Sequence, residues 1–164
     1  DMIAAATQKA IEHEMEKDPA FYQRFSKMIQ EVLDAIYEGR MSALEGLPLL
    51  ADYAKKVATH TDDSVPEELA PYDMARRYYG VVQEGAVEYV AEPKGLAKVA
   101  RQIQDRLERH RIRDFRDNPD ALNRMRQEID DVFYEAKDAG LEIPIEVQDK
   151  LIDQCIEITI ANED

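Results

Sequence analysis

The sequence predicts an all-α fold, a single-domain bundle of about six to eight helices, on three observations. Apolar residues recur at three- and four-residue spacing along most of the chain. The runs are bounded by helix-start residues (Asp18-Pro19, Ser42, Asn118-Pro119) and helix-stop residues (Gly39, Gly140). Glycine is scarce, at 6 in 164 residues, and runs of β-branched residues are short. With 45% apolar and 34% charged residues, the composition is that of a globular chain.

Met2 to Glu16 repeats Ile3, Ala6, Ala10 and Ile11, a short helix with a narrow apolar stripe. Asp18 is expected to cap the next helix, with Pro19 at its first position, where the missing N–H is not needed. Phe21, Phe25, Met28, Ile29, Val32, Leu33 and Ile36 line its long face, and Gly39 ends it. Ser42-Ala43-Leu44-Glu45 fits a capping box. Gly46 and Pro48 predict an irregular start to that third helix, which fades near Thr59. Thr61 to Ser64 is the most loop-like segment, and Ser64-Val65-Pro66-Glu67 has the form of another cap.

Pro71 breaks or restarts the helical pattern. A helix over Tyr72 to Val82 follows, expected to stop near Gly80 or Gly85. Val87 to Val90 is the one segment with the composition of a short strand; it is isolated and builds no sheet. Leu96, Val99, Ala100, Ile103 and Leu107 form a clean helical stripe. After Asn118-Pro119 the next helix presents Leu122, Met125, Ile129, Val132, Phe133 and Ala136. Beyond Pro144, a last helix presents Val147, Leu151, Ile152, Cys155 and Ile156. Residues 1–60 thus hold the N-terminal helices, 61–93 an irregular connection with short helices, and 94–164 a C-terminal three-helix portion, together one helical domain.

The net charge is −14, a field that repels nucleic acid and anionic membrane at long range and favours basic partners. No apolar run approaches the ~18 residues of a membrane helix, and no signal peptide is visible, so membrane is not an expected partner. The single Cys155 forms no internal disulfide, which makes a reducing, cytoplasmic setting the expectation. The chain opens at Asp1 with helical character at once, and is expected to be a piece of a longer protein whose other parts hold the chemistry.

No GxxxxGK[ST] phosphate loop is present. His13, His60 and His110 are scattered, none follows the Glu-x-x-His spacing of bundle metal sites, and each is expected at the surface. Asp131, Glu135 and Lys137 imitate the acidic pair and lysine of metal-dependent nucleases. They fall on one helix, where a solvated acidic face accounts for them. Tyr22, Tyr37, Tyr53, Tyr78, Tyr79 and Tyr134 are spread over several helices and are expected to pack, not to stack on bases. Catalytic, cofactor and metal residues are therefore expected to be absent from this chain.

The positive signal is a basic belt. Between Lys94 and Arg126 stand ten Lys or Arg and five acids, a segment of +5 that leaves −19 for the remainder of a −14 chain. Arginine predominates, which suits bidentate contact with carboxylate or phosphate. Two accounts are open: pairing with acids of the same chain, or contact with a partner subunit or a DNA backbone. The elbow residues Arg109, Arg111, Arg113, Phe115 and Arg116 are the candidates for a partner- or DNA-facing surface. Phe115 either anchors such a contact or closes the helix corner.

The segment from Leu96 to Pro144 resembles the C-terminal helical region of the R (motor) subunit of type I restriction–modification enzymes. That region runs from a KIA-x-E-I-x-x-x-L helix, through a short segment ending in Asp-Trp, to a helix with a Gly-x-x-x-Pro exit. Here Lys98-Val99-Ala100 with Ile103 and Leu107, Asp114-Phe115, and Gly140 to Pro144 stand in that order. Upstream, Asp18-Pro19-Ala20-Phe21-Tyr22 with Phe25-Ser26 resembles the family's Pro-x-Phe-Tyr-x-x-Phe-Ser opening. Pro71-Tyr72-Asp73-Met74-Ala75 resembles its Phe-Tyr-Asp-x-Leu segment. Phe115 stands where Trp is usual, and Pro71 where an aromatic is usual.

The resemblance implies a parent with an N-terminal nuclease and two RecA-like motor domains, an ATP-dependent endonuclease using ATP and Mg in domains outside this chain. It implies for this chain a non-catalytic role in attaching the motor to the methyltransferase core of modification and specificity subunits, with DNA engaged by the full complex. The rival reading, from net charge, is a free-standing acidic helical adaptor or DNA mimic that binds basic proteins.

Overall fold

Helices form where apolar spacing and capping residues place them. The computed structural model describes residues 1–90, 92 and 94–163. Among these are seven α-helices and no strand: α1 (Met2–Glu14), α2 (Pro19–Tyr37), α3 (Ala43–Thr59), α4 (Asp73–Ala86), α5 (Lys94–Glu108), α6 (Pro119–Asp138) and α7 (Ile145–Ala161). The all-α expectation holds. What the apolar spacing does not disclose is the grouping into two compact units, Asp1–Ser64 and Val65–Asp164.

In the first unit α1, α2 and α3 each pack on the other two. Phe21, Phe25, Ile29 and Val32 of α2 meet Ala4 and Ile11 of α1 and Leu50 and Val57 of α3 in one apolar cluster. Of the expected stripe of α1 only Ile11 is buried. Ala4, Thr7 and Ile11 are buried, whereas Ile3, Ala6 and Ala10 are exposed. Thr7 enters the interior because its hydroxyl donates to the Ile3 carbonyl at 2.7 Å, so no donor is stranded. A reciprocal pair ties α1 to α2: Gln8 Nε2 donates to the Ser26 carbonyl at 3.0 Å, and Ser26 Oγ donates to Gln8 Oε1 at 2.8 Å.

Asp18 stands at the N-cap position of α2, but its side chain does not cap. It lies 2.8 Å from His60 Nε2 instead. His60 ends α3 in the left-handed region (φ 53°), with its ring stacked on Tyr22 and edge-on to Phe21. The expected surface histidine is thus half-buried; so is His110, while His13 is exposed.

Ser42 accepts from the Glu45 N–H at 3.1 Å, the Ser half of the expected capping box. The start of α3 is regular, contrary to expectation, and the helix runs through Pro48. Pro48 falls on an exposed face, and Gly46 is where α3 closes on the Ile36 side chain. Ser64 starts no helix; its N–H and hydroxyl both bond Asp62 Oδ1, at 2.9 and 2.6 Å. Only a 3-10 turn follows, at Glu67–Leu69.

In the second unit α4 packs on α5, α5 on α6, α6 on α7, and α7 closes back on α4: a four-helix ring. The buried faces are Ala75, Tyr78, Val81, Val82 and Ala86 of α4; Leu96, Val99, Ala100, Ile103 and Leu107 of α5; Met125, Ile129, Val132 and Phe133 of α6; and Leu151, Ile152, Cys155, Ile156 and Ile158 of α7. α4 runs through Gly80 and ends at Ala86, one residue past Gly85, within the expected range. Gly85 also meets α7, since a Cβ there would lie 2.8 Å from Leu151 Cδ2. Val87–Tyr89 is a 3-10 turn, not a strand.

Buried polar groups join this ring. Gln104 Oε1 of α5 accepts from the Ala75 N–H at 2.7 Å, satisfying a free donor in the first turn of α4 that Tyr72 does not cap. Tyr78 Oη lies 2.6 Å from Thr159 Oγ1, which donates to the Cys155 carbonyl at 2.7 Å. The Thr159 proton is therefore committed and Tyr78 is the donor.

Candidate functional site

The elbow between α5 and α6 is built by a sequence that cannot continue a helix. Past Glu108 the chain turns with His110 N–H on the Leu107 carbonyl at 2.9 Å. Asp114 takes the left-handed conformation (φ 58°), which a short polar side chain tolerates. A 3-10 turn over Phe115–Asp117 leads to Asn118, whose side chain accepts from the Ala121 N–H at 3.2 Å, and Pro119 begins α6.

Phe115 is 1% exposed. It closes the helix corner from inside and offers no ring to a partner, so it leaves the set of outward-facing residues. Its apolar ring is worth more in the core than in water, roughly 1.5–3 kcal/mol.

The arginines divide into two kinds. Arg111 and Arg116 turn toward the end of α7: Arg111 Nη2 donates to the Asn162 carbonyl at 2.5 Å, and Arg116 Nε lies 3.4 Å from Glu163 Oε2. The Arg111 guanidinium also sits 5.9 Å from the Phe115 ring centre. Arg113, 96% exposed, reaches only Asp114, at 3.8 Å, and Arg109 is exposed. Arg111, Arg113 and Arg116 line a basin of about 470 Å³ with Ile112, Asp114, Phe115 and Glu163.

Much of the belt is consumed within the second unit. Arg101 pairs with Asp105 at 3.3 Å and lies 3.6 Å over the Tyr72 ring. Arg106 pairs with Glu135 across α5 and α6, and Arg126 with Asp153 across α6 and α7 at 2.6 Å. His110 Nε2 stands 3.2 Å from Glu128 Oε2. Lys94, Lys98 and Arg124 are exposed.

The other candidates for chemistry are occupied otherwise. Glu135 is tied to Arg106, and Asp131 accepts from Gln127 Nε2 at 3.0 Å. Among the described residues no group of three His, Cys, Asp or Glu is placed to hold a metal ion. Burial pushes the Cys155 thiol up to about 12, which keeps it protonated and poorly nucleophilic at neutral pH. Tyr78 and Tyr22 are buried, Tyr53 packs edge-on to Phe25, and Tyr37 and Tyr134 are exposed. A cleft of about 570 Å³ between α5 and α6 is lined by Gly95, Lys98, Val99, Gln102, Glu135 and Ala136 among others. Among the described residues no helix is long and apolar enough to cross a membrane.

Sequence reasoning missed Asn162 and Glu163 as partners of the elbow, Gln104 as the cap of α4, and the Asp18–His60 pair. Each joins residues at least 29 positions apart, beyond the reach of any local pattern. Compared with protein-family models, curated proteins and solved structures, the chain matches none of them significantly.

Proposed function

We propose that this chain is a non-catalytic helical assembly module of a type I restriction enzyme R subunit, linking an ATP-dependent translocase and endonuclease to its methyltransferase core. The observation that carries the reading is where the ordered motifs fall. Pro19-Ala20-Phe21-Tyr22 opens α2, Tyr72-Asp73 opens α4, Asp114-Phe115 forms the elbow, and Gly140 to Pro144 joins α6 to α7. Motif residues spent on starting, turning and ending helices suit a module whose task is to hold shape. ATP and Mg would serve the motor domains of the parent.

Within this reading the docking surface is the outward part of the elbow, Arg109 and Arg113, rather than the whole arginine set. These two have no strong partner to give up, whereas Arg111 and Arg116 are engaged by the end of α7. The test is capture of a purified methyltransferase core by this chain. Capture is expected for the native chain and should fall at least tenfold for Arg109→Glu/Arg113→Glu, with unchanged helical circular dichroism. No capture by the native chain refutes the assembly reading; equal capture by the variant moves docking off the elbow. Retention of a polylysine peptide without retention of the core would favour the acidic-adaptor reading.

A further inference from the structure

We propose that the elbow basin is a binding site for a phosphate-type oxyanion, occupied in this structure by the carboxylate of Glu163 as an internal stand-in. The proposal does not depend on the assembly reading.

Glu163 is the informative residue. Its side chain is only 19% exposed although it lies past the end of α7. It pairs with the Arg116 guanidinium, while the neighbouring Asn162 carbonyl accepts from Arg111. An acceptor-only, negatively charged group thus sits against one of three arginines that line a basin of about 470 Å³, enough room for an oxyanion with bound water.

The basin is partly preorganised. Phe115 is locked in the core and fixes the turn from below, and its ring faces the Arg111 guanidinium. Arg113 is the free arm: 96% exposed, held by one long contact to Asp114, and able to swing over a bound anion. A phosphate has more acceptor oxygens and more charge than one carboxylate, so it can engage all three guanidinium forks while Glu163 engages one. The −14 net charge does not forbid this, because charges beyond about 8–10 Å are screened at ordinary ionic strength.

The experiment titrates the full chain with inorganic phosphate at constant ionic strength, following arginine Nε–H signals by NMR. The signals of Arg111, Arg113 and Arg116 are expected to shift together and saturate, while those of Arg76 and Arg77 stay put. Glu163→Gln, which removes the internal competitor, should tighten binding about two- to fivefold, the range a part-exposed ion pair commands. Arg113→Glu should abolish saturation. A short DNA duplex forms the second arm. The same shifts with the same dependence on Glu163 would assign the phosphate to a nucleic-acid backbone. Saturation by inorganic phosphate alone would assign it to a free or monoester phosphate. Non-saturating shifts spread over all arginines, or unchanged affinity in Glu163→Gln, overturn the proposal.

Discussion

Asp62 shows how one residue fastens a segment that reads as loop. Partial burial alone would push its carboxyl up, but the Ser64 hydroxyl, the Arg24 guanidinium and the Ser64 N–H together hold it below the usual carboxylate range. Arg24 Nη2 lies 2.6 Å from Asp62 Oδ2, so the end of the first unit is tied back onto α2. A carboxyl whose folded pKa lies below its unfolded value of about 3.9 stabilises the fold above that pH, and the contribution fades as pH falls through the lower folded value. Asp62→Asn should therefore be less stable than the native chain at pH 7. The gap between their urea midpoints should narrow as pH falls below the unfolded value of about 3.9; a gap that does not change with pH in that range would contradict this role for Asp62. Nothing local announces this role. Asp62-Asp63 reads as a polar loop because Arg24 is 38 positions away. Phe115 carries the same lesson in reverse: both an anchor and a corner are open to it in the sequence, and burial selects the corner.

At the scale of elements, the helices themselves were legible, because 3.6-residue periodicity and capping chemistry are local. Gly39 and Gly140 end α2 and α6 as expected, both with positive φ (77° and 94°), where a side chain would be strained. Gly85 likewise stands one residue before the end of α4, whereas Gly80 lies inside the helix. A glycine inside a helix reads like one at its end, and the Leu151 side chain that meets Gly85 comes from another helix, which no local pattern announces. The start of α4 depends on another element altogether. Its first-turn donor at Ala75 is satisfied by Gln104 of α5, buried at 8% exposure. Gln104→Ala removes that acceptor in a place water reaches poorly. The expected cost is about 1–3 kcal/mol in urea unfolding, with amide exchange at Ala75 accelerated more than in the middle of α5. A loss under 0.5 kcal/mol would show the bond to be dispensable.

At the scale of the molecule, each unit has its own apolar interior: the Phe21–Phe25 cluster in one, the α4–α7 ring in the other. A closed four-helix ring buries every helix on two neighbours, the condition for folding as a unit. Residues 65–164 expressed alone should therefore give helical circular dichroism and one cooperative thermal transition. A non-cooperative melt, or dye binding typical of a loose globule, would show that this ring does not fold alone. The intramolecular account of the basic belt is strongest at this scale. Arg106 and Arg126 bridge neighbouring helices of the ring, and Arg111 and Arg116 reach the end of α7. Local charge counting identified the belt, but it could not say which arginines remain for a partner.

Helical class, helix positions and the stops at Gly39 and Gly140 follow from interactions within four residues along the chain, so they can be read without coordinates. Which face of α1 turns inward, what Asp18 and Gln104 bond, where the packing divides, and which elbow arginines stay exposed depend on groups tens of residues apart. Those outcomes emerge when burial strips water from polar atoms and each must find whatever partner the packing brings near.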